Sequence, residues 1–518
     1  MENKGEQSYK RLTKLQDFTA ESGADYILPD YLGDVRKILF TECVMGPTGK
    51  GRTDGGEEYY GTVCYNIMYL DSDGKPTGTS FTSDYEIAVR HGDEAATVFG
   101  IPRIVTSAVR LVGPRKFTAK ATVSVSPKLL VEEDISVSGD VFEGVNEPEY
   151  TGRVMKFAEI SESETVERDY AEALERLDGK ISDEIEILYS GADIELDGAE
   201  QDAEGVLIRG NLIMYAVVSD SESPVYLVEK IIPIEEHITV SWTTDEVKLA
   251  PRGAVVSLTA NVNADESGCV INCSAVVEYC VGGEFNSAVE VIKDAYLKER
   301  ETVNGYREIK CTELCDRISI SESLSATMPG ETVCQDALRE VTLLTARPRI
   351  EEVNSSGSEL NVVGETKFSG FGSVTLESGE ISYAPIKFIS PFNIKVKCHA
   401  PIPQNATTEL MLDGGLASAI IDEDSVDVSY RLNGAVRILC TGTVRALSNC
   451  VVAEGEEYVR PSGRITVYYP EKGDTLFSVA KKYHTSATKV AWDNSVSTAV
   501  SSGTESGELD GVKSLIIY

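Results

Sequence analysis

His91, His237, His399 and His484 are the only histidines in the chain, so any nucleophile that needs a neutral-pH base must find one of these four within hydrogen-bond reach. None lies in a recognisable catalytic motif. His91 falls in the turn-like run Arg90-His91-Gly92-Asp93 and His484 in a turn between two short helical patterns, so each reads as a surface or turn residue. Cys269 and Cys273, like Cys311 and Cys315, stand four apart, a spacing a zinc site permits. On a strand, however, such positions share one face, and buried small side chains are the simpler reading. Gly46-Pro47-Thr48-Gly49-Lys50-Gly51 imitates a phosphate loop but has Val44 where the motif needs Gly and Gly51 where it needs Ser or Thr. It reads as a flexible connection. Asp71-Ser72-Asp73-Gly74 resembles the start of a calcium loop, yet Thr82 stands where the bidentate Glu belongs, so a hairpin turn is expected. The acidic runs Glu132-Glu133-Asp134, Glu351-Glu352 and Asp422-Glu423-Asp424 carry no spacing that picks out a glycosidase pair. No catalytic, cofactor-binding or metal-ligating residue is therefore assigned, and the protein reads as non-enzymatic.

The elements that would position any site belong to a multidomain globular chain. It has 518 residues, 42% apolar and 25% charged. Its 48 basic and 84 acidic residues give a net charge of −36, which repels nucleic acid and anionic lipid, and no local basic patch is visible. Residues Met1 to Gln7 show no apolar leader, and no window of about 18 apolar residues occurs, so neither classical export nor membrane insertion is expected. The odd cysteine count, with cysteines inside apolar runs such as Thr62-Val63-Cys64-Tyr65, points to reduced thiols in a reducing cytosol.

Internal similarity organises the chain. Gly61-Thr62-Val63-Cys64-Tyr65 has a counterpart in Gly210-Asn211-Leu212-Ile213-Met214 and a more divergent one from Gly364 through Phe368 and Phe371. A second marker recurs from Gly113, Gly268 and Gly434, and both repeat at about 150 residues. Val, Ile, Tyr and Thr alternate with polar residues between Gly, Asp, Ser and Pro turns. The fold class is accordingly mainly β: three tandem antiparallel sandwich-like or barrel-like repeats and a small βααβ end module. The expected limits are 1–133, 134–316, 317–462 and 463–518. Helical spacing is approached at 32–40, 166–177 and 334–344.

The end module carries the most specific motif. Ile465-Thr466-Val467-Tyr468-Tyr469 reads as a strand. Asp474 or Thr475 caps a helix whose Leu476, Val479, Ala480 and Tyr483 share a face, and Leu515-Ile516-Ile517-Tyr518 closes as a strand. Gly473-Asp474-Thr475-Leu476-Phe477-Ser478-Val479-Ala480 resembles the LysM family motif. In that family the groove between this loop and a second one binds N-acetylglucosamine polymers. Here Ser495 to Glu508 is long and rich in Ser, Thr and Gly, and the ending Gly511-Val512-Lys513-Ser514-Leu515 departs from the family pattern. The expected groove residues are Gly473, Asp474, Thr475, Leu476, Phe477, Trp492 and Asn494, with Lys489 on the rim. Phe477 lies off the apolar stripe and is the expected anchor. Trp492 stands either in the small core or in the groove.

The order of repeats, the Leu28-Pro29-Asp30-Tyr31 opening and the terminal LysM pattern together resemble SipL-type spore-coat morphogenetic proteins, built from SPOCS repeats and a LysM domain. The resemblance implies a structural adaptor in spore-envelope assembly. It implies a place in the mother-cell cytoplasm at the forespore surface, and a partner of the SpoIVA type, a coat-scaffold ATPase, bound through the LysM module. A wall-associated protein that binds peptidoglycan-type glycan is the alternative.

Overall fold

The structure, a computed structural model, describes residues 7–518 except 94, 144–147, 221–223, 243–245, 265–267, 377, 423, 456, 459–462, 497–508 and 510. It is mainly β, 73% strand and 5% helix, built from several antiparallel sheets, none of them closed. Three of these are three-stranded meanders. The first joins Val35–Thr53, Gly56–Asp71 and Pro76–Arg90, the second Ile185–Gln201, Val206–Asp220 and Tyr226–Ile238, and the third Ala337–Ser356, Glu359–Thr375 and Ile381–Lys397. Each meander is flanked by strands that precede and follow it in sequence and that meet on one later strand. Phe18–Ile27 and Arg103–Gly113 pair with Lys116–Val125; Val166–Asp178 and Lys248–Ala264 with Gly268–Tyr296; Thr302–Pro329 and Ala406–Gly414 with Ser425–Val452.

Alternation forms these elements. In Ile381–Lys397, residues 386, 388, 390, 392, 394 and 396 are buried and residues 387, 389, 391, 393, 395 and 397 exposed, because a period of two sends alternate side chains to opposite faces. The first hairpin turns as expected at Asp71-Ser72-Asp73-Gly74. There Gly74 takes φ 81° and Asp71 Oδ1 accepts from the amides of Asp73 and Lys75 at 3.0 and 2.8 Å.

The three expected helices are strands. Residues 35–40 lie in Val35–Thr53, residues 166–177 in Val166–Asp178 and residues 337–344 in Ala337–Ser356; only the four-residue helix Gly330–Val333 precedes the last. The cause is β-bulges. Register shifts occur at Val35/Lys37, Ile38/Phe40, Ala173/Glu175, Leu338/Glu340 and Val341/Leu343. Each extra residue turns a same-face spacing of two into three, which imitates a helix. The run Gly46 to Gly51, expected as a loose connection, likewise lies inside a strand with a bulge between Met45 and Thr48. The expected limit at 316 falls inside Thr302–Pro329, which pairs along its length with Ser425–Val452; the limit at 462 lies outside the described residues. The expectation that all cysteines are reduced is also corrected, because Cys315 is joined to Cys440 by a disulfide. Cys269 and Cys273 are buried, as their shared face suggested.

The meanders meet in one apolar cluster: Leu39, Phe40 and Met68 of the first, Leu188, Tyr189 and Tyr215 of the second, and Leu343, Phe371 and Tyr383 of the third. Polar groups cross the same junction. Glu42 accepts from the Tyr189 hydroxyl and from Arg347 Nη2 (2.5 Å), while Asp193 Oδ2 accepts from the Leu416 amide at 2.8 Å. Burial, reinforced by the nearby Glu42 charge, pushes the Asp193 carboxyl up to about 6. At a second junction Lys128 meets Glu409 (2.6 Å) and Arg437 meets Glu284 (2.8 Å), again across separate blocks of chain.

Candidate docking site on the C-terminal module

The end module comprises the strands Thr466–Tyr468 and Leu515–Ile517 and the helices Leu476–Lys482 and Ala487–Asp493. Local chemistry shapes its first loop. Gly473 takes φ 92°, a left-handed conformation that side chains disfavour. Asp474 Oδ2 accepts from the Tyr468 hydroxyl at 2.6 Å and the Glu471 amide at 2.8 Å. These bonds hold the Asp474 carboxyl below its usual range, and the Asp474 bond pushes the Tyr468 hydroxyl up to about 12. Thr475 and Ser478 form a reciprocal capping box, amide to side-chain oxygen, at 2.9 and 3.1 Å.

Asn494 ends the second helix by bridging. Its Nδ2 donates to the Val490 and Ile516 carbonyls at 2.8 and 2.7 Å, and its Oδ1 accepts from the Ile516 amide at 2.6 Å. That fixes the helix end against the last strand. Trp492, two residues earlier, projects into solvent with 84% of its surface exposed. Of the two places open to Trp492, the core is thereby excluded. Val467 and Ile516, direct cross-strand partners, are exposed on the short sheet, and Tyr469 and Tyr518 are exposed just past the ends of its strands. Lys489 is also exposed.

Two expected groove residues are placed elsewhere. Leu476 packs into the module core with Val479, Ala480, Val490, Leu515 and Ile517. Phe477, the expected anchor, is also buried, edge-on to Tyr296 with ring centroids 5.2 Å apart. Phe477 lies off the stripe of the module's own core because the ring it packs on lies outside the module. Tyr296 comes from the distant strand Gly268–Tyr296, and no local pattern announces it. Its hydroxyl donates to the Thr485 carbonyl at 2.6 Å, and Lys481 Nζ reaches Asp294 Oδ2 at 2.6 Å. His484 stacks on Tyr458 at 4.3 Å and lies 3.2 Å from Glu301. The structure thus keeps Gly473, Asp474, Thr475 and Asn494 as loop-shaping groups, leaves Trp492 free, and uses Phe477 to fasten the module to the body. Of the expected second lip, Ser495 to Glu508, residues 497–508 lie outside the described residues.

The histidines of the body each face a carboxylate. His91 is buried rather than exposed, its Nε2 2.6 Å from Glu57 Oε2 while its Nδ1 faces the Asp93 amide at 3.3 Å. His399 faces Asp316 and His237 faces Asp202. Among the described residues no cluster of three or more His, Cys, Asp or Glu side chains could hold a metal ion, and no helix is long and apolar enough to cross a membrane.

Charge separates the module from the rest. Residues 463–518 contain six Lys or Arg and six Asp or Glu, so the entire excess of −36 resides in residues 1–462. The fold and site together define a mainly β protein of several open sheets that carries a small neutral end module with an exposed aromatic face. No protein-family model, no curated protein and no solved structure is detectably similar to this chain.

Proposed function

We propose that this chain is a non-enzymatic structural adaptor whose β body consists of three copies of one domain and whose C-terminal LysM-type module docks a protein partner. The observation that carries the reading is Trp492: a large aromatic almost wholly in solvent, on a module that also exposes Tyr469 and Tyr518 while Phe477 is buried. Exposed aromatic side chains ringed by polar groups are the usual anchors of protein interfaces, and Lys489 and Asn494 stand near it in sequence. The similar wiring of the three meanders and their flanking strands supports the repeat count. The resemblance to SipL-type proteins gives the setting: spore-envelope assembly at the forespore surface in the mother cell, with a SpoIVA-type coat ATPase as partner.

Binding of peptidoglycan-type glycan is the second reading, favoured by the intact first loop from Gly473 to Thr475. Parallel pulldowns of the full chain on a purified SpoIVA-type ATPase and on insoluble peptidoglycan separate the two. Retention by the ATPase that is lost in Trp492→Ala supports docking. Retention by peptidoglycan alone overturns it.

A further inference from the structure

Far from the end module, the strand Arg103–Gly113 forms one edge of the sheet that also contains Phe18–Ile27 and Lys116–Val125. Most of it is exposed on both faces. Residues 105–108 and 110–112 are all exposed, with Val105 at 63% and Val112 at 58%. Edge strands are normally shielded, because their unpaired amides and carbonyls are templates for another strand. The other two meanders shield the strand that faces them. Leu344 and Ala346 exchange backbone hydrogen bonds with the segment Gly415–Ala417 at 2.8 and 2.9 Å, and Gly253 of Lys248–Ala264 lies against Ile194 of the second meander. Arg103–Gly113, which carries bulges at Ile104/Thr106 and Leu111/Gly113, packs Ile104 and Val109 on the core of the first meander and bonds the Cys43 thiol through Ser107, but among the described residues no backbone bond joins the two.

The charge of this edge is also opposite to its surroundings. It contains Arg103 and Arg110 and no acidic residue, in a chain with 84 Asp and Glu. Among the described residues neither arginine makes an ion pair, whereas the cations of Lys248–Ala264 are used, Lys248 near Asp316 (3.8 Å) and Arg252 at Glu162 (2.6 Å). Two free guanidinium groups beside an open ladder suit a strand whose carboxylates alternate with apolar side chains.

We propose that the edge Arg103–Gly113 is a strand-addition site for an extended, acidic segment of a partner protein, whose backbone extends the sheet, whose carboxylates meet Arg103 and Arg110, and whose apolar residues cover Val105 and Val112. A second copy of this chain fits less well, since two bodies that share the −36 excess repel at long range.

The test uses the full chain and two labelled probes, an acetylated Glu-Val-Glu-Val-Glu-Val-Glu peptide and its Lys-Val counterpart, read by fluorescence anisotropy and by amide hydrogen exchange. The acidic probe binds the wild type, slows exchange across residues 103–113, and binds Arg110→Glu roughly fivefold more weakly, while the lysine probe shows the reverse preference. Arg110 is exposed, so Arg110→Glu is expected to fold, which circular dichroism checks. Equal binding of both probes, binding without protection of residues 103–113, or unchanged binding by folded Arg110→Glu overturns the proposal. So does concentration-dependent self-association in sedimentation that Arg110→Glu abolishes, which would assign the edge to a second copy.

Discussion

The β body and the C-terminal module are held together by different physics. Within the body, neighbouring blocks meet over broad apolar clusters with ionic groups buried among them, as where Leu39, Tyr215 and Phe371 surround the contacts of Glu42 with Tyr189 and Arg347. The module touches the body through the Phe477–Tyr296 pair, the Tyr296 hydroxyl bond, the Lys481–Asp294 ion pair and the contacts of His484 with Tyr458 and Glu301. A large interface tolerates the loss of a single contact, while a small one depends on each. The same asymmetry appears in charge, with a strongly acidic body and a neutral module. An acidic partner is thus repelled less by the module than by the body taken as a whole.

Phe477→Ala strains this contrast most. Removing a buried aromatic costs about 3–5 kcal/mol, more than a module of some fifty residues holds in reserve. Limited proteolysis is expected to release residues 463–518 from a body whose melting is unchanged; cooperative loss of both would show that the two regions are one folding unit. Gly78→Ala probes the body in return. A Cβ at Gly78 would lie 1.6 Å from the Leu188 carbonyl oxygen, so the strands of the first and second meanders must separate. A destabilisation of about 3 kcal/mol is expected, read as a lower melting temperature. A change below about 0.5 kcal/mol would mean that the blocks meet less closely there.

Trp492→Ala separates binding from folding. It is expected to leave stability within about 0.5 kcal/mol and to weaken partner affinity by about 1–3 kcal/mol, measured by calorimetry. Paired with Phe477→Ala, it distinguishes a docking residue from a fastening one.

The smallest effect concerns pH. Asp193 is held at about 6 against an ordinary 3.8, chiefly by burial, so the folded protein binds its proton more tightly than the unfolded chain. Stability from this group is therefore full below pH 3.8, falls as pH rises to about 6, and stays low above that. Asp193→Asn keeps an acceptor for the Leu416 amide and removes the titration. It is expected to raise stability at neutral pH by up to about 2 kcal/mol and to flatten the urea-unfolding profile between the two values; an unchanged profile refutes the assignment.

Much was legible from order and chemistry along the chain. The β class follows from alternation in runs such as residues 386–397, and the turn at Asp71 to Gly74 from side-chain oxygens placed to meet nearby amides. The capping of the helix at Thr475 was equally readable, because a cap is a contact between residues three apart. The three supposed helices failed because a bulge changes side-chain spacing without changing composition, and only pairing with a partner strand reveals it.

By itself, then, the amino-acid order determined what depends on neighbours: strand alternation, the hairpin turn, the capped helices of the end module and the overall acidity. Tertiary structure decided what depends on residues far apart. It buried Phe477 against Tyr296, left Trp492 in solvent, and bonded Cys315 to Cys440. It brought Glu42, Asp193 and Arg347 to one junction and left Arg103 and Arg110 on an open edge. The reason is physical: burial and charge pairing are properties of a position in space, and residues such as Phe477 and Tyr296 become neighbours only when the chain has folded.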